Sequence, residues 1–141
     1  MKKNFEPIRI LEIITEEIGV PRNDGTPGSS LYEVPFRLSS TPPSEWAGFF
    51  ISSWDLPPSF SSMHRPGIAN VVSDKIILDG TTLEEVEEYH KKTLLLAVQE
   101  ANRKYLELLR RKEREEEQEA KRLQKHREAV QEKAKRIKFD K

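Results

Sequence analysis

The 141-residue chain has no cysteine, so it carries no disulfide framework, no thiolate metal site and no cysteine nucleophile, and its fold rests on ordinary core packing. No stretch approaches the roughly 20 apolar residues that a membrane-spanning helix needs. Met1-Lys2-Lys3 opens like a signal peptide, but Asn4, Glu6 and Pro7 follow where an apolar run would stand; the chain is read as soluble and cytoplasmic. Recognisable chemistry is scarce too. The three histidines, His64, His90 and His126, stand at no ligand spacing from one another, so no zinc or iron site is expected. The glycines of residues 23–30 lead into no Gly-Lys-Ser or Gly-Lys-Thr and form no GxGxxG pattern, so neither a phosphate cradle nor a cofactor is expected.

Proline and glycine are both missing after Gly80, and that absence divides the chain. Residues 1–81 hold 7 Lys or Arg against 10 Asp or Glu, and turn chemistry recurs along them: Asn23-Asp24-Gly25, Pro42-Pro43, Pro57-Pro58 and Arg65-Pro66-Gly67. Such spacing belongs to short elements in a small fold. Residues 82–141 hold 17 basic against 14 acidic side chains. Being rich in Glu, Lys, Arg, Leu and Ala, they favour helix throughout.

In the first part, Ile8, Ile10, Ile13 and Ile14 predict a strand that ends before Pro21. Residues 31–39 predict a second strand, with Tyr32, Val34, Phe36 and Leu38 on one face and Glu33, Pro35 and Arg37 on the other. Pro35 places that strand at an edge or a bulge. Over residues 42–54, Trp46, Phe49, Phe50 and Trp54 fall on one stripe at helical spacing, with Gly48 and Ser52 opposite. This predicts a short helix, starting at Thr41 ahead of the two prolines and stopped by Pro57. Residues 68–72 and 75–78 read as a hairpin turning at Ser73-Asp74. The order strand, strand, helix, strand, strand, helix predicts an α+β fold. Its small, mainly antiparallel sheet carries both helices on one face, and a long C-terminal helix projects from it.

That long helix opens at Thr82, an N-cap with Glu85 three residues on to complete a capping box. Its apolar stripe runs Leu83, Val86, Leu94, Ala97, Ala101, Tyr105 and Leu108. His90 lies on the same stripe and is expected to be half-buried with one hydrogen-bond partner. Leu95 and Leu96 point away from the stripe, so this turn needs cover from the sheet and short helix or from a second chain. Residues 110–119 are charged or Gln at every position and must be wet all round. Leu123, Val130, Ala134 and Ile137 then return along the direction of Leu83. An unbroken helix over residues 83–137 would be about 80 Å long, too long for its own globule to cover. Residues 1–109 are therefore expected to form the globular domain and 110–141 a charged helical arm.

Leu123, Val130 and Ile137 recur every seven residues, with Ala120, Arg127 and Ala134 at the alternate seam positions, a short coiled-coil signal. This reading gives a non-enzymatic interaction or assembly module that docks a sister chain or a larger protein partner through Leu123, Val130, Ala134 and Ile137. The alternative is a nucleic-acid-binding accessory protein: residues 121–141 carry nine Lys or Arg against Glu128, Glu132 and Asp140. Those basic residues surround the helix instead of lining one face. Trp54, Phe60, His64 and Arg65 form a candidate recognition loop. Asp55, Ser61, Ser62 and His64 supply a carboxylate, hydroxyls and a base nearby, but local clusters of this kind usually bond their own backbone, and no catalytic residue is assigned.

Overall fold

The computed structural model describes residues 5–59 and 61–140. Strands β1 (Ile10–Ile13), β2 (Tyr32–Leu38), β3 (Ala69–Val72) and β4 (Lys75–Thr81) form an antiparallel sheet in the order β1-β2-β4-β3. Helix α1 (Ser44–Asp55) follows β2; after β4 come one α-turn, α2 (Leu83–Glu85), a π-helical turn (Val86–His90) and helix α3 (Lys91–Arg136). The α+β class and the order of elements are as the sequence predicts. Phe5–Tyr105 form one compact unit, and residues from Leu106 onward belong to a second.

Alternation in β2 decides which face of the sheet is covered. Val34, Phe36 and Leu38 are buried, as are Ile76 and Leu78 of β4, which pair beside them. Trp46, Phe50 and Trp54 of α1 and Leu94, Ala97 and Ala101 of α3 close over that face in a single cluster, so both helices lie on one side of the sheet. The Trp46 and Phe50 rings stack in parallel, 5.6 Å apart. Asn102 satisfies the polar groups that this packing would strand. Its Oδ1 accepts from Trp46 Nε1 at 2.8 Å and from the Ile8 amide at 2.9 Å, while its Nδ2 donates to the Ile8 carbonyl at 2.9 Å. One half-buried amide thus ties α1, the approach to β1 and α3 together.

Four local expectations are corrected. Pro35 lies in an interior strand, since β2 has β1 on one side and β4 on the other. Its carbonyl accepts from Ile14, just past the end of β1, at 3.0 Å. In an antiparallel ladder the N–H of a residue points the same way as its carbonyl, so the missing donor faces a neighbour strand that has already ended. The slips in register fall elsewhere, between Ile10 and Glu12 and between Tyr32 and Glu33. The first strand is also shorter than its isoleucines imply, because a 3₁₀ turn at Thr15–Glu17 follows Ile14 directly. Helix α1 starts after Pro43, which sits at its N-cap with no side-chain bond; Pro43 pushes Pro42 out of helical geometry, leaving Thr41 too early to cap. Finally, β4 continues past Leu78 to Thr81. The hairpin turn itself is as predicted, with Ser73 at φ 56° between the pairs of β3 and β4.

Candidate functional site

The start of the second helical run is where the first unit gathers its polar side chains. Thr82 caps it as predicted, its hydroxyl accepting from the Glu85 amide at 3.1 Å, and the Leu83 amide donates to the Tyr32 hydroxyl at 2.9 Å. The other half of the capping box does not close. Arg65 Nε donates to Glu85 Oε1 at 2.9 Å and Arg65 Nη2 to Oε2 at 2.7 Å; the Thr81 hydroxyl also donates to Oε1, at 2.9 Å. A two-pronged, charge-assisted pair outweighs the single backbone amide that the carboxylate would otherwise bond. The Arg65 guanidinium holds the Glu85 carboxyl below the ordinary carboxylate range, against the opposing pull of burial and with help from Thr81. Arg65 is raised in turn, first by the same bond.

Beside this pair, the π-helical turn delivers His90 into the core. The ring is fully buried, and neither nitrogen finds a hydrogen-bond partner among the described residues. Oε1 of the charged Glu85 stands 3.7 Å from Nε2, beyond hydrogen-bond length. The expected half-buried histidine with one partner is thus corrected, because Glu85 is already engaged by Arg65 and Thr81. Burial is the main cause that pushes the His90 pKa below its usual 6.5, with Glu85 pulling the other way. Trp54, His64 and His90 form a triangle of rings, with centroids 4.6 Å apart for Trp54 and His64, 5.4 Å for Trp54 and His90, and 6.3 Å for the two imidazoles.

The loop after α1 is fastened to this triangle. His64 Nε2 lies 2.8 Å from the Trp54 carbonyl, Trp54 Nε1 donates to the Arg65 carbonyl at 2.9 Å, and the Gly67 amide donates to Asp55 Oδ1 at 2.8 Å. Of the four candidate recognition residues, Trp54, His64 and Arg65 are brought together; Phe60 lies outside the described residues. Asp55, Ser61 and His64, which could have suggested nucleophilic chemistry, bond to the backbone. Asp55 holds Gly67, and Ser61 Oγ accepts from the Met63 amide at 3.2 Å. Sequence reasoning left Thr81, Glu85 and His90 out of the site. The usable signal was a histidine on an otherwise apolar stripe.

No family model, curated protein or solved structure matches the chain. Among the described residues, no group of three or more His, Asp or Glu could hold a metal ion, and no helix is long and apolar enough to cross a membrane.

Each unit keeps an exposed apolar surface. In the first, a cleft of about 540 Å³ lies between β1 and the start of the helical run, lined by Leu11, Ile13, Leu83, Val86 and Leu95 among others. Leu95 is 53 % exposed, so neither the sheet nor α1 gives it the expected cover; β1 is four residues long and ends the sheet on that side. In the second unit, Leu123, Val130, Ala134 and Ile137 are all exposed. The helix ends at Arg136, with the Ile137 amide bonded to the Ala134 carbonyl at 3.2 Å.

Proposed function

We propose that the protein is a cytoplasmic interaction and assembly module, whose C-terminal helix pairs with a second copy or a larger protein through Leu123, Val130, Ala134 and Ile137. One observation carries this reading. Leu123 and Val130 of the helix and Ile137 just past its end, spaced seven residues apart, are 42 %, 51 % and 54 % exposed, although a helix that served only as a solvated extension would need no apolar residue at that interval. Full burial of such a side chain is worth about 1.5–3 kcal/mol. The small Ala134 leaves room for a partner side chain at the alternate seam position. Trp54, His64 and Arg65 act in this reading as structure, fixing the loop against the helical run.

Sedimentation equilibrium on the full-length chain and on its Leu123→Ser, Val130→Ser double variant tests it. The expected result is a mass above monomer for the native chain, falling toward monomer in the variant. Equal monomeric masses would end the self-association reading. A monomer whose binding to duplex DNA or RNA weakens steeply with salt would instead favour the basic face of residues 121–141 as a phosphate-binding surface.

A further inference from the structure

His90 combines three properties: a titratable ring, complete burial and no hydrogen bond among the described residues. Among the described residues, the charged and titratable groups set against it are Glu85 from its own helical run and His64 and Arg65 from the loop after α1, while α1 contributes the neutral ring of Trp54. On β4, Thr81 touches Glu85 through its hydroxyl. One carboxylate therefore stands between a permanent cation that already holds it and an imidazole that can become a cation.

We propose that His90 is an acid-sensing trigger: when its ring takes a proton from water, the imidazolium draws Glu85 off Arg65 and releases the loop of residues 61–67 from the start of the long helix. Glu85 Oε1, already shared by Arg65 Nε and the Thr81 hydroxyl, is the oxygen 3.7 Å from His90 Nε2. Movement of Oε1 toward the new N–H⁺ breaks both of its bonds, and the turn of the carboxylate that goes with it withdraws Oε2 from Arg65 Nη2. Arg65 then faces a like charge at the buried ring, where repulsion is poorly screened. The ties left to the loop, through the Trp54 backbone and ring and through Asp55, involve no partner for the Arg65 guanidinium.

The two titrations are ordered to permit this. Glu85 is held below 4.5 and stays ionised while His90 takes its proton. Because the closed state lowers the His90 pKa below 6.5, its stability is complete above that pH and is lost as the pH falls beneath it. The equilibrium moves toward the open loop by about tenfold per pH unit until the buried ring itself titrates. Protonation of Glu85 weakens the closed state further only below its ordinary 4.5.

The test is residue-level amide protection in the full-length chain, followed by NMR from about pH 7.5 to about pH 5 alongside the His90 ring titration. Protection of the His64 and Gly67 amides, which are bonded to the Ser61 carbonyl and Asp55, should fall about tenfold per unit below the ordinary histidine pKa, while β2 and β4 keep theirs. His90→Gln should flatten this response. Should that variant fail to fold, Glu85→Gln should show an unprotected loop at neutral pH with no further acid effect. An undiminished acid response in His90→Gln, a sheet that loosens together with the loop, or a titrating His90 with unchanged loop protection would each overturn the proposal.

Discussion

Phe5–Tyr105 and the segment from Leu106 onward place apolar residues at the same helical spacing and obtain opposite results. In the first, Trp46, Phe50 and Trp54 on α1 and Leu94, Ala97 and Ala101 on α3 are buried to 2 % exposure or less, because an alternating sheet face stands opposite them. In the second, Leu123 and Val130 occupy equivalent helical positions and are exposed. Ion pairs differ in the same way. Arg65 and Glu85 form a two-pronged pair with Glu85 mostly shielded, whereas Glu119–Arg122 and Glu132–Arg136 join side chains more than half exposed, the class of contact that contributes little to stability. Periodicity thus tells which face of a helix is apolar; a matching surface decides whether that face is covered.

The contrast can be broken at its strongest point by Phe50→Ala, which should cost about 3–5 kcal/mol in urea unfolding, since a fully buried ring stacked on Trp46 leaves a cavity. A loss below about 1 kcal/mol would mean the core is not where the first unit keeps its stability. Arg65→Ala should cost about 2 kcal/mol, less than a fully buried pair because its side chain is 33 % exposed, yet enough to show that Glu85 needs its cation. Smallest of all, Val130→Ala should leave the unfolding free energy within about 0.5 kcal/mol of that of the native chain while weakening self-association. A Val130 effect comparable with that of Phe50 would erase the distinction between the two regions.

Much of the fold was legible in the sequence, for identifiable reasons. Tyr32, Val34, Phe36 and Leu38 alternate, Trp46, Phe49, Phe50 and Trp54 share a stripe, and Ser73-Asp74 turns a hairpin; all three patterns are local, and the structure keeps them. Pro35 misled because a proline shows that a donor is missing but not which neighbour would have wanted it. The buried site was half legible. Trp54, His64 and Arg65 are close in the chain, but their partners Thr81, Glu85 and His90 arrive through tertiary contact with a separate element. Glu85 read as a capping residue because nothing in its own neighbourhood announces Arg65, twenty positions earlier.

The π-helical turn at Val86–His90 has a further consequence for how this helix tolerates length changes. Such a turn absorbs a surplus residue in one widened loop of backbone, so it works as a spacer that sets the phase of everything downstream. Trimming one residue inside it can convert the turn to ordinary α-helix and leave Leu94, Ala97 and Ala101 aimed at the sheet. Trimming one residue between Ala97 and Ala101 has no such refuge: it rotates the residues beyond the cut by about 100°, putting Asn102 at the position of the buried Ala101 and Arg103 at that of Asn102.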